Sequence, residues 1–149
     1  MKAGEEENRV LLRRFVDEVI NTGDVGLVPG FVGEEFVDHD PPPGASPDIS
    51  GIGWAFTRVR ASFPDFHATV EDLVSEGDRV AYRWTFRGTH LGDFGGIPPT
   101  GRVAIWSVIG IARFAEGKMV ERWQRLDTAG LLGQLGDSAV VPQAAEGRP

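Results

Sequence analysis

At Pro64 the spacing of the apolar residues changes, and no other feature of the chain constrains its fold as strongly. Before that point Leu11, Leu12, Phe15, Val16, Val19 and Ile20 recur at three and four residues, as do Ile52, Ala55, Phe56, Val59 and Phe63. Such spacing gathers side chains on one side of a helix. After Pro64 the period is two. Phe66, Ala68 and Val70 alternate with His67, Thr69 and Glu71. Beyond the turn "EGDR", Val80, Tyr82, Trp84 and Phe86 share one strand face while Ala81, Arg83, Thr85 and Arg87 share the other, which predicts a hairpin. Helices first and strands afterwards means segregated α+β rather than alternating α/β.

Local signals fill in the order. "NTGD" at 21–24 predicts a glycine stop for the first helix and an Asp24 cap for a short second one carrying Leu27, Val28 and Phe31. In "EEFVDHDPPPG" three prolines remove donors and hold the backbone extended, so His39 stands where a brief strand becomes a rigid loop. Ser50 is the expected cap of the third helix. "GTHLGDFGGIPPTGR" is a long connection, and the nearly continuous apolar run "VAIWSVIGIARF" predicts a strand covered on both faces. "AEGK" turns the chain into a last strand, Met119 to Leu126, and a short helix with Leu131, Leu132 and Leu135 closes it. Three helices thus precede a long meander. A curved sheet wrapped on those helices would enclose a pocket.

Composition narrows the function classes. A chain of 149 residues is one ordinary domain, able to bury about 70% of its unfolded surface. The expectation is a single domain over 1–137 and a loosely held tail over 138–149. A net charge of −7 argues against a nucleic-acid partner, which needs clustered Lys and Arg to neutralise phosphate. Without cysteine there is no disulfide framework, thiolate nucleophile or Cys-based zinc site. The charged start "MKAGEEENRV" and the lack of a long apolar run predict a soluble, cytoplasmic chain with no membrane partner. His39, His67 and His90 are not at a metal-ligand spacing, and "GDFGGIPP" lacks the lysine and setting of a phosphate loop. Neither a metal nor a nucleotide is expected.

Four stretches, "FVDHDPPPG", "FPDF", "RGTHLGDFGGIPPTGR" and "GKMVERWQRLDTAGLLGQLG", together resemble the SnoaL-like polyketide cyclase family over about residues 8 to 136. The resemblance implies the cone-shaped α+β fold of nuclear transport factor two-like proteins: a strongly curved, mixed or antiparallel sheet packed on three N-terminal helices around an internal pocket, with a short C-terminal helix. It also implies a homodimer formed through the sheet, no cofactor, and an aspartate on the last strand acting as acid/base in an aldol ring closure of a polyketide ester. Asp127 matches that aspartate. Where family members add histidine support near the acid, this chain has Arg125 in "WQRLD".

Each candidate residue has a plainer alternative. Asp127 before "TAGLL" suits a helix N-cap as well as a base, a cap contributing about 1 kcal/mol. His39 either holds a developing oxyanion or bonds a loop neighbour. Trp106 and Trp123 offer flat apolar walls to a substrate or are core. His90 lines the cavity mouth or braces its loop. Arg83 faces the pocket or solvent, since periodicity pairs residues without naming the side. Asp65 is a turn residue, or joins Arg83 and Asp127 in an acid–arginine–acid group that activates water.

The first functional reading is a cofactor-independent cyclase or isomerase of secondary metabolism acting on a small, apolar, polyketide-like substrate. Asp127 and His39 would be catalytic, with Trp106, Trp123, His90, Arg83 and Asp65 binding substrate. Two alternatives stand beside it: epoxide hydrolysis by activated water in the same pocket, and a non-catalytic module that binds a small ligand or dimerises.

Overall fold

The computed structural model describes residues 3–136. Helix α1, Ala3–Phe15, runs on through a π-helical turn, Val16–Ile20, and together they bury Leu12, Phe15, Val16, Val19 and Ile20. Gly23, at φ 80°, ends this run in a conformation that costs a residue with a Cβ. The expected second helix is a 3-10 helix, Val25–Gly30, containing Pro29. Asp24 does not cap it with its side chain; instead the Asp24 N–H donates to Thr22 Oγ1 at 3.1 Å. Strand β1 is Val32–Asp38, and helix α2 is Ile49–Ser62. The α2 cap is Asp48 rather than Ser50, its carboxylate accepting from the Ser50 N–H at 3.1 Å.

Strands β2 (His67–Glu76), β3 (Arg79–Thr89), β4 (Val103–Ala115) and β5 (Lys118–Leu126) form the antiparallel meander, and α3, Thr128–Gln134, closes the described chain. The sheet order is β1-β5-β4-β3-β2, with β1 parallel to β5. Three helices precede the meander, and the brief strand expected before the prolines, β1, joins the sheet ahead of the third helix. β1 joins one edge, and α2 then carries the chain to the opposite edge. This is the mixed, helix-packed α+β architecture that the change of period implies.

Successive residues of a strand point to opposite faces, and here one face is closed by the helices. Inward on β3 are Val80, Tyr82, Trp84 and Phe86, and inward on β4 are Ala104, Trp106, Val108, Gly110, Ala112 and Phe114. Among the described residues nothing covers the second face of β4. Ile105, Ile109 and Ile111 remain 53%, 59% and 40% exposed, so its continuous apolar run consists of one buried and one open row. Among the described residues no helix is long and apolar enough to cross a membrane.

Candidate functional site

A cavity of about 320 Å³ lies between the inward face of the sheet and the helices. That size suits a small organic ligand. Trp54, Phe56 and Val59 come from α2, Leu131 and Leu132 from α3, and Phe94 from the β3–β4 connection. The sheet adds Trp84, Phe86, Trp106, Arg122, Gln124 and Leu126. No carboxylate among the described residues stands in this wall.

Strand register builds the polar side of the cavity. Tyr82, Gly110 and Gln124 are aligned across β3, β4 and β5. Because Gly110 lacks a side chain, the Tyr82 hydroxyl passes over the middle strand and donates to Gln124 Oε1 at 2.7 Å. A Cβ at Gly110 would lie 2.4 Å from that hydroxyl oxygen, so glycine is required here for close approach. Burial pushes the Tyr82 phenol well above its ordinary value, and it remains a neutral donor.

One register step away, Asp38 of β1 lies opposite Arg122 of β5, and the two form an ion pair with side chains only 4% and 5% exposed. Asp38 Oδ1 also accepts from the Asp40 N–H at 3.0 Å. Asp40 in turn accepts the Gln124 N–H at 2.9 Å and pairs with Arg125. The Gln124 N–H first, and Arg125 after it, hold the Asp40 carboxyl below its ordinary range despite partial desolvation. A buried pair of this kind is costly to break, because removing one partner strands the other charge without water.

Of the seven sequence-predicted residues, Trp106 is the one in the cavity wall. Asp127 is exposed and serves as the N-cap of α3, accepting the Gly130 N–H at 3.0 Å. It continues the outward parity of Trp123 and Arg125, although Leu126 and Thr128 on either side of it line the cavity. His39 and Trp123 are on the outer face. Their rings stack at 4.7 Å with 3° between planes, and His39 Nε2 bonds Glu121 at 2.7 Å. The guanidinium of Arg79 lies over the Trp123 ring, 5.0 Å from its centroid.

His90 is fully buried behind Phe63, outside the wall, and its Nδ1 accepts the Thr100 N–H at 3.2 Å, so it braces the β3–β4 connection. Arg83 is outward and paired with Asp72 at 2.7 Å. Asp65 accepts from the Thr89 N–H and hydroxyl, each at 2.7 Å, and these bonds hold its carboxyl below the ordinary range. The acid–arginine–acid group is therefore not assembled. Arg83 and Arg125 both face outward, so neither can serve the water-activation alternative.

Sequence reasoning missed Asp38, Tyr82, Arg122 and Gln124 as site residues. Two of the residues it chose, His39 and Trp123, are the immediate neighbours of Asp38, Arg122 and Gln124. A shift of one residue moves a strand's whole set of side chains to the other face. The signal was present in the row Val80, Tyr82, Trp84 and Phe86, whose apolar character marks the inward parity of β3 and, through register, that of β5.

Comparison with known proteins agrees with this architecture. The model of the SnoaL-like polyketide cyclase family matches residues 10–135. The chain is 30% identical over 141 residues to aklanonic acid methyl ester cyclase DnrD of Streptomyces peucetius, covering 89% of this chain and 93% of that one. Among solved structures, IdmH of Streptomyces antibioticus is 34% identical with a TM-score of 0.76, covering 87% of this chain and 98% of the other. TsrD of Streptomyces laurentii is 29% identical with a TM-score of 0.79, covering 91% and 98%.

Proposed function

Because this chain belongs to the SnoaL-like polyketide cyclase family, we propose that it closes a ring in a polyketide-like ester by an intramolecular aldol reaction. The observation that carries this reading is an aromatic-walled cavity of about 320 Å³ with buried polar groups, Arg122 and Gln124, on its sheet side. An apolar wall holds a folded poly-β-keto chain and excludes water. Holding nucleophilic carbon and acceptor carbonyl in contact removes much of the entropic part of the barrier.

The reaction balances without a redox partner. A proton leaves the carbon between two carbonyls, and that carbon bonds to a ketone carbon within the same molecule. The ketone's π pair becomes an alkoxide, which takes up a proton. Substrate and product are isomers. Asp127, between two cavity-lining residues, receives the first proton through a water at the rim and returns one to the alkoxide. As an exposed carboxylate bonded to the α3 N-terminus, it works from the solvent side of the rim and not in contact with the substrate. Its share of the rate is therefore smaller than that of a buried base, which supplies roughly 10²–10⁴-fold.

The outer face supports a homodimer as the working form. Ile105, Ile109 and Ile111 form an open apolar row, with Ala81 and Trp123 in register beside Ile111. A second copy of the same face would cover it.

The direct test is incubation with a panel of linear and aromatic poly-β-keto methyl esters, following loss of substrate and appearance of an isomer of equal mass by chromatography and mass spectrometry. Wild type is expected to form a ring-closed isomer, and Asp127→Asn to form it roughly tenfold more slowly. Since asparagine caps a helix as well as aspartate does, the variant keeps its stability. No isomer from any ester would overturn the reading.

A further inference from the structure

Two residues of the cavity wall carry a buried donor with no acceptor among the described residues: Trp84 at its indole Nε1 and Arg122 at its guanidinium Nε. Neither can be satisfied by rotating a proton away. An indole nitrogen only donates, and a guanidinium is permanently charged and only donates. Leaving such a group unpaired in an interior is expensive, more so for a charge, and native structures seldom tolerate it without cause.

Their surroundings do not supply the missing acceptor. Asp38 already takes an Arg122 NH2 hydrogen and the Asp40 N–H. The Gln124 carbonyl oxygen is occupied by Tyr82, so what that side chain offers the cavity is its NH2 group. Trp106 adds another donor-only indole. Along the sheet, Arg122 lies in the column with Ala112 and Val80, Gln124 with Gly110 and Tyr82, and Trp84 with Val108 and Leu126. Arg122, Gln124 and Trp84 thus come from three successive columns of one inward face. The sheet side of the cavity is built to donate.

From this arrangement we propose that Trp84, Arg122 and Gln124 form a binding site for an oxyanion, the enolate of a β-dicarbonyl group. The inference deepens the ring-closure reading and rests on it for the identity of the anion. Enolate oxygen gains charge as the proton leaves carbon, and fixed donors aimed at developing charge stabilise it with little reorganisation. The substrate binds with its acidic dicarbonyl against the sheet and the remaining chain among the aromatic residues. Asp38 is a positioning residue. It holds Arg122 by one arm and leaves Nε–H for the ligand.

Dimedone, a cyclic β-diketone that is an oxyanion at neutral pH, and cyclohexanone, a neutral ketone of the same ring size, separate donor binding from cavity filling. Affinities of wild type, Trp84→Phe and Arg122→Lys are measured calorimetrically. Phenylalanine keeps an aromatic ring without N–H, and lysine keeps the charge beside Asp38 without the Nε–H. Wild type is expected to prefer dimedone, and each substitution to weaken dimedone by about tenfold or more while leaving cyclohexanone unchanged. Equal dimedone affinity in wild type and Trp84→Phe would overturn the proposal, as would failure of wild type to bind dimedone. If dimedone behaves as expected while no ester is cyclised, the oxyanion site stands and the ring-closure reading fails. If esters are cyclised with Trp84→Phe unimpaired in both assays, the reverse holds.

Discussion

The two faces of the sheet carry similar residues in opposite circumstances. Inside, Arg122 pairs with Asp38 at 5% and 4% exposure; outside, Arg83 pairs with Asp72 at 50% and 58%. Inside, the Trp84 ring stacks on Tyr82; outside, the Trp123 ring stacks on His39. What differs is water. On the outer face solvent screens the charges and satisfies any loose donor, and such pairs contribute about 0–1 kcal/mol. On the inner face each polar atom must find a protein partner or a ligand, so an unpaired N–H there carries information that the same atom outside would not.

The contrast is broken most sharply by removing one partner from each ion pair. Asp38→Asn should destabilise the fold by about 3–5 kcal/mol, because it leaves Arg122 charged in an interior without water. Asp72→Asn should cost no more than about 1 kcal/mol. Urea denaturation of both variants measures the difference, and equal losses would mean that Arg122 is better hydrated than its burial indicates.

A second comparison tests whether the outer face is open in solution. Ile109→Glu places a charge in the middle of the exposed apolar row and is expected to halve the mass seen by light scattering, with secondary structure retained by circular dichroism. An unchanged dimer would move the interface elsewhere, and a monomeric wild type would remove it.

The smallest effect concerns Asp40, between the two faces. Its folded-state acidity is strengthened, chiefly by the Gln124 N–H. A carboxyl with a depressed folded-state value binds protons more readily when unfolded, so stability falls as pH is lowered. The contribution of Asp40 is complete above its ordinary value near 3.8 and fades as pH drops through its lower folded value. Asp40→Asn should therefore flatten the acid limb of a stability profile and leave the slope near neutral pH unchanged, as read from denaturation midpoints in a pH series.

Much of the fold was legible because it follows from local periodicity. The change at Pro64, the triple proline after Asp40 and the glycine stop at 23 each act within a few residues. The caps were less legible: Asp48 and Ser50 both satisfy the composition rule, and the backbone of Ile49–Ser62 decides between them. The site was the least legible. His39 and Trp123 have the right chemistry for a pocket and the wrong parity. Asp127 answered the sequence pattern of a cap and of a catalytic acid alike, and its exposed bond to Gly130 is that of the cap.

What the residues determined by themselves is the order of helices and strands and the pairing of side chains within each strand, since both follow from backbone geometry repeated every two or 3.6 residues. Which row of each strand turns inward depended on where α1, α2 and α3 packed. So did the meeting of Asp38 with Arg122, 84 residues away in the chain. Those are long-range outcomes, chosen by the burial of apolar surface over the whole sheet, and they alone separate the Arg122 that meets the cavity from the Arg125 that meets water.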